Sequence, residues 1–243
     1  MDGSKSWDAP TTNTFKKKDL LPETEHTFRV RAVRGNSVSE WSDVVKERTQ
    51  KVPEFSECIW KECPDYVNWD KKYSVDKKNT RIATNLGGGY CTITGNTALP
   101  LNKVTSWSIK ILKSKNNNGH DIFIGVAPSN IDQNIYYNYD KCGWYFSCYG
   151  SQLYSGPPHN YEGKEYGPRK GNGQYVHTGD SVGVTMDTAK GELSFILNGV
   201  NLGVAYEGIP LDKPLMPCVI LDYNSDSVEL VSSGSDKGEC VIS

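Results

Sequence analysis

The sequence predicts an all-β chain of antiparallel strands. Three observations carry that prediction. Residues 182–206 alternate apolar and polar side chains, an Asn-Gly pair interrupts the alternation at 198–199, and short turn-forming runs separate the alternating segments. Successive side chains of a strand point to opposite faces, so a strand with one face on a core reads with period two.

The elements follow in order. Val182, Val184 and Met186 make one apolar row, and Asp187 to Gly191 makes the connection. Leu193, Phe195 and Leu197 then alternate with Ser194 and Ile196. Asn198-Gly199 supplies the positive φ angles of a two-residue hairpin at little steric cost. Leu202 and Val204 resume the alternation. Three strands joined by short turns form an antiparallel meander. Upstream, Gly87-Gly88-Gly89-Tyr90 is expected as a turn before the strand Cys91-Thr92-Ile93; it lacks the Lys-Ser/Thr that completes a phosphate loop.

Asn198-Gly199 with Leu202-Gly203-Val204-Ala205-Tyr206 resembles the "NG-x-x-LGVAF" signature of SPRY domains. Gly143-Trp144-Tyr145-Phe146, Tyr166-Gly167-Pro168 and Gly179-Asp180-Ser181-Val182-Gly183-Val184 resemble that family's "GW", "YG" and "GD-x-IG" motifs, in its order. Leu215-Met216-Pro217-Cys218-Val219 is similar to its "LYP-x-V" strand, and Thr105-Ser106-Trp107-Ser108-Ile109-Lys110 to its "YWEV" strand. The resemblance covers about Ser56 to Val231; the family's closing "NFG" is absent. It implies a β-sandwich of two antiparallel sheets, a concanavalin-like jelly roll. Tyr145 and Tyr166 lie in the motifs and are expected inside, while Asp180 and Asp187 are expected to order turns.

Within the first fifty residues, Leu21-Pro22 through Val33 alternates, with Phe28, Val30 and Ala32 on one face. Gly35-Asn36 is read as a turn, after which Ser39-Glu40-Trp41-Ser42 leads into a second strand ending near Thr49. The pattern resembles the last strands of a fibronectin type III domain, with His26 where that family usually has a corner Tyr. Such a sandwich needs about a hundred residues. The expectation is therefore a partial module at 1–50, from a truncated product or as a docked hairpin, with low order from Met1 to about Leu20. A linker is placed at 51–55, the SPRY-like domain at 56–231 and a flexible tail at 232–243.

Composition bounds the function. The chain has 243 residues, a formal charge of −2 and 37% hydrophobic residues. That supports a packed core and supplies no strong field for nucleic acid. The seven cysteines fall at irregular spacings, unlike a disulfide framework. No Asn-x-Ser/Thr acceptor, signal region or membrane-length apolar run is present. These features favour a reducing, cytoplasmic setting. Cys58-x4-Cys63 and Cys142-x5-Cys148 lack the usual zinc spacing. Cys142 or Cys148 with His159 or His177 has no motif to support a nucleophile–base pair, and His177 reads as framework. No cofactor, metal or enzymatic activity is expected.

Tyrosine is the compositional anomaly. Nine of the fourteen fall between Tyr136 and Tyr175, in segments rich in Gly, Pro, Asn and Ser. Long loops on a rigid sandwich are favoured recognition sites, and tyrosine gives large contact area with few rotors and a polar tip. SPRY domains bind protein partners through loops at one end of the sandwich. The resemblance implies that the loops bearing Asn68-Trp69-Asp70, Tyr136–Tyr139 and Asp222-Tyr223-Asn224 meet there. Tyr136, Tyr137, Tyr139, Tyr223, Trp69 and Asp70 are the expected contact residues for a protein or peptide partner. Two other readings stand beside this one. The chain could be the substrate-recognition end of a ubiquitin ligase, or a sensor of a phosphorylated or sugar ligand. For the last, Lys164, Arg169 and Lys170 are a weaker basic constellation.

The last four residues, Cys240-Val241-Ile242-Ser243, resemble a prenylation box of the farnesyl type. Cys240 is the expected lipid site. One lipid gives only weak, reversible attachment, so membrane association is expected to be transient and peripheral. No coiled coil is present, and a monomer is expected.

Overall fold

A computed structural model describes residues 25–48, 55–64, 72–87, 89–115, 119, 121–133, 139, 141–167 and 176–232. The chain divides into two compact units, Met1–Pro53 and Glu54–Ser243. The expectations for residues 1 to 20 and for the tail lie outside the described residues.

In the first unit, β1 (Glu25–Phe28), β2 (Val33–Arg34), β3 (Ser37–Val38) and β4 (Val45–Arg48) make two antiparallel ladders. β2 and β3 close around Gly35, whose φ is 59°. The strand expected to end near Thr49 is β4, and residues 39–44, which lead into it, form no strand. The cause is side-chain chemistry. Ser39 Oγ accepts the Ala32 N–H at 2.8 Å, and Ser42 Oγ accepts the Val30 N–H at 3.0 Å. Two residues on one side are thus matched to three on the other, a spacing closer to a threefold extended helix than to a pleated strand. The guanidinium groups of Arg29 and Arg31 each lie over the Trp41 ring, 4.6 Å from its centre. Val30, Val33, Val38, Val44 and Val45 are exposed, so this hairpin has no core of its own.

The second unit opens with a 3-10 turn, Phe55–Glu57, and then, among the described residues, runs through thirteen strands. They are β5 (Tyr73–Val75), β6 (Ile82–Asn85), β7 (Cys91–Thr94), β8 (Val104–Lys113), β9 (Phe123–Pro128), β10 (Trp144–Ser147) and β11 (Gln152–Ser155). There follow β12 (Glu162–Glu165), β13 (Ser181–Asp187), β14 (Glu192–Leu197), β15 (Val200–Tyr206), β16 (Leu215–Leu221) and β17 (Ser227–Ser232). One sheet has the order β12-β11-β10-β9-β16-β7, the other β15-β14-β13-β8-β17-β6-β5. Every pairing is antiparallel. Among the described residues there is no α-helix, and no helix long and apolar enough to cross a membrane.

The core lies between the two sheets. Val182, Val184 and Met186 of β13 and Leu193, Phe195 and Leu197 of β14 face it, with the residues between them turned outward. Asn198 and Gly199 have φ of 48° and 83°, the two positive values a tight hairpin with this twist requires. The connection before β14 is tied by Asp187 Oδ1, which accepts the Ala189 and Lys190 N–H groups. Tyr145 and Tyr166 are buried. The alternation expected in β15 does not continue. Val204 is 49% exposed while Ala205 and Tyr206 are both buried. Register shifts between Leu193 and Ser194 and between Ser194 and Ile196 insert extra residues into β15 and turn its side chains over.

β16, LMPCVIL, shows no alternation because both of its faces are buried. Leu215, Val219 and Leu221 enter the main core, and Cys218 and Ile220 enter a second cluster on the opposite side of the sheet. A strand covered on both faces reads as a continuous apolar run.

Candidate functional site

That second cluster is the floor of the site. Phe123 on β9, Tyr145 on β10 and Cys218 and Ile220 on β16 share the outer face of the six-stranded sheet, with Tyr90, Ile131, Tyr139 and Tyr154 packed against them. Alternation aims these side chains away from the main core, because their chain neighbours Ile124, Trp144, Phe146 and Val219 point into it. Tyr139 lies flat on Phe123, with ring centroids 4.4 Å apart and planes 7° apart. Tyr154 meets both rings edge-on at 5.3 and 5.4 Å. Tyr90 leans on Tyr139 at 5.5 Å. Offset stacks and edge contacts are the geometries that the ring quadrupole favours.

The floor connects to the 222–226 loop through Asp121. The hydroxyls of Tyr90 and Tyr223 both hydrogen-bond its carboxylate. The ammonium of Lys115 sits 3.6 Å from the centre of the Tyr223 ring, a cation–π contact. Asp226 holds the loop from beneath: its Oδ1 accepts the Lys115 N–H at 2.9 Å and its Oδ2 the Tyr223 N–H at 3.1 Å. Buried Asn85 completes the frame. Its amide donates to the Gly89 and Leu221 carbonyls, and its Oδ1 accepts the Gly87 N–H. Its backbone N–H donates to the Asp226 carbonyl at 2.9 Å.

Burial is the largest electrostatic influence here. It pushes the Asp226 carboxyl up to about 6; the carboxylates of Asp222 and Asp121 add to that, and the two backbone N–H groups oppose it. Burial, then Asp121, pushes the Tyr90 hydroxyl well above the ordinary tyrosine range. Tyr223 moves in the same direction for the same reasons. These tyrosines are hydrogen-bond donors rather than bases. The thiols of Cys58, Cys91, Cys142, Cys148 and Cys218 are all raised, first by burial, which is the opposite of nucleophile activation. Among the described residues no group of three His, Cys, Asp or Glu side chains is placed to hold a metal ion.

Of the residues singled out in the sequence, Tyr139 and Tyr223 are brought into one constellation through Tyr90 and Asp121. Tyr136, Tyr137, Trp69, Asp70 and Cys240 lie outside the described residues, as do Arg169 and Lys170. Lys164 donates to the Tyr161 hydroxyl at 2.9 Å and lies over its ring. His177 is exposed and precedes β13; its N–H donates to Asp180 Oδ2 at 2.7 Å. Sequence reasoning missed Tyr90, Lys115, Asp121, Phe123 and Tyr154. Tyr90 stands beside a glycine run that drew attention only as a turn, and Phe123 carries no local signal.

The family model for the SPRY domain matches residues 104–233. The chain belongs to the SPRY family. The matched region lies within the second unit, and the likeness of residues 1–50 to a fibronectin type III module remains a resemblance. Among solved structures, the SPRY domain of human HERC1 is similar at 19% identity with a TM-score of 0.54, over 68% of this chain and 96% of that one. A further human SPRY domain matches at 14% identity and TM-score 0.49, over 66% and 95%. The TRIM65 PSpry domain matches at 12% and 0.47, over 71% and 90%. The comparison with curated proteins returned no match. SPRY domains are generally protein-interaction modules and typically non-catalytic.

Proposed function

We propose that this SPRY domain binds a protein or peptide partner through the aromatic surface around Tyr139 and Tyr223, without chemical turnover. The supporting observation is convergence. Two tyrosines from loops far apart in sequence meet through Tyr90 and Asp121 beside the outer face of one sheet. Half-buried tyrosines with hydroxyls held by a carboxylate offer an anchor whose rotors are already restrained, which lowers the entropy cost of binding.

The test is quantitative capture of partners by the wild-type chain and by Tyr223→Ala and Tyr137→Ala, with thermal unfolding as the folding control. Loss of tenfold or more in the affinity of a captured partner for Tyr223→Ala, at unchanged unfolding midpoint, is the expected result; that is about 1.4 kcal/mol. Undiminished binding by both variants would place the contact surface elsewhere.

A further inference from the structure

The turn between β11 and β12 carries His159, whose two ring nitrogens have neighbours of opposite kind. The Trp144 indole N–H donates to Nδ1 at 3.0 Å. Indole nitrogen is a donor only, so Nδ1 holds a lone pair and no proton. Nε2 lies 2.8 Å from the Glu207 carbonyl oxygen, which only accepts, so Nε2 carries the proton and donates it. Structure thus fixes a neutral ring in one tautomer. The ring stands edge-on to Tyr161 and Tyr206, with centroids 5.4 Å away in each case.

A second proton has one place to go, Nδ1, and there the indole N–H already points. We infer that His159 is an acid-sensitive latch: its protonation breaks the bond to Trp144 and releases the tip of the β11–β12 turn from β10. Trp144 is 3% exposed, so release strands a buried indole N–H without an acceptor. Among the described residues, none of the ion pairs involves His159. The titratable groups facing the ring are the phenols of Tyr161 and Tyr206. The Lys164 ammonium lies 2.9 Å from the Tyr161 hydroxyl. Glu207 contributes its carbonyl, and Trp144 is neutral.

The opening is local. Strand pairing of Trp144 with Ser155, the Gly156 N–H to Gly143 carbonyl bond and the Tyr161 N–H to Ser155 Oγ bond do not involve the imidazole and hold the stem. What changes is the surface formed by residues 157–160 and Glu207. Imidazoles as a class titrate in the range cells use for acid sensing.

Nitrogen-15 NMR of the full chain between pH 7.5 and 5.0 tests the latch. At pH 7.5 His159 should show the Nε2–H tautomer, with the Trp144 indole proton slow to exchange. On acidification the ring should gain its second proton, and in step the Trp144 indole should lose protection at least tenfold. Trp60 and Trp107, whose buried indole N–H groups have no acceptor, serve as internal references. In His159→Gln the amide keeps one donor and one acceptor and does not titrate, so Trp144 protection should be independent of pH. If that variant fails to fold, the wild-type titration decides alone. An Nδ1–H tautomer at pH 7.5, a ring still neutral at pH 5.0, or unchanged Trp144 exchange while the ring protonates would each overturn the inference.

Discussion

Asp226 and Tyr223 close a turn on each other: Asp226 Oδ2 accepts the Tyr223 N–H at 3.1 Å, and the Tyr223 carbonyl accepts the Asp226 N–H at 3.0 Å. The loop that presents Tyr223 is therefore fastened by a carboxylate that is only 1% exposed.

That burial makes stability depend on pH in a definite direction. An aspartate in an unfolded chain titrates near about 3.9, and Asp226 in the folded protein is raised to about 6. Between those values the folded state binds the extra proton, so its contribution to stability falls as pH rises. Relative to Asp226→Asn, which cannot titrate, the wild type should lose stability from pH 4 to pH 6 and hold a constant difference above about pH 7. Urea midpoints of both proteins at five pH values measure this. A difference that is flat, or that slopes the other way, contradicts the raised carboxyl.

The stack of Tyr139 on Phe123 separates floor from rim. Phe123 is buried, so Phe123→Ala should cost about 3–4 kcal/mol in denaturant unfolding. Tyr139 is half-buried, so Tyr139→Ala should cost about 1–2 kcal/mol. Equal losses would mean that the outer cluster is not layered as described.

Two glycines predict opposite failures. A Cβ on Gly125 would run into the Trp144 carbonyl oxygen, so Gly125→Ala must push β9 and β10 apart and should not give folded protein. Gly199 has open space but a φ of 83°, so Gly199→Ala should fold with a loss of about 1 kcal/mol. Expression and circular dichroism of the pair distinguish lack of room from a disfavoured dihedral.

Tyr206 ties one sheet to the other. Its hydroxyl lies 2.8 Å from the Tyr145 carbonyl and 2.9 Å from the Tyr154 carbonyl, although Tyr206 itself sits on β15 of the seven-stranded sheet. Tyr206→Phe should therefore destabilise by about 1–2 kcal/mol with the ring packing intact. A neutral substitution in chemical unfolding would show that water or relaxation replaces the bond.

The meander of β13 to β15 was legible because period and turn chemistry are local. Three residues settle the face of β13, and Asn198-Gly199 settles the hairpin. The bulges in β15 were not, since nothing in Leu202-Gly203-Val204 tells that Ala205 and Tyr206 will both turn inward. In the first unit, the Ser39 and Ser42 hydroxyls compete for backbone N–H groups, an effect that alternation does not register. The tyrosine-rich loops pointed to Tyr139. Its companions Phe123 and Tyr154 are neighbours only because β9, β10 and β11 lie side by side, and pairings of that kind are long-range.

β16 lies between β9 and β7, and β17 between β8 and β6. The two strands nearest the C-terminus among the described residues are therefore interior members of their sheets, not edges. During synthesis, the eleven earlier strands of these two sheets must wait with both layers gapped until residues 215–232 clear the ribosome. A nascent chain arrested near Pro214 would carry two unfilled slots flanked by apolar side chains, a natural substrate for chaperones and for quality-control proteolysis.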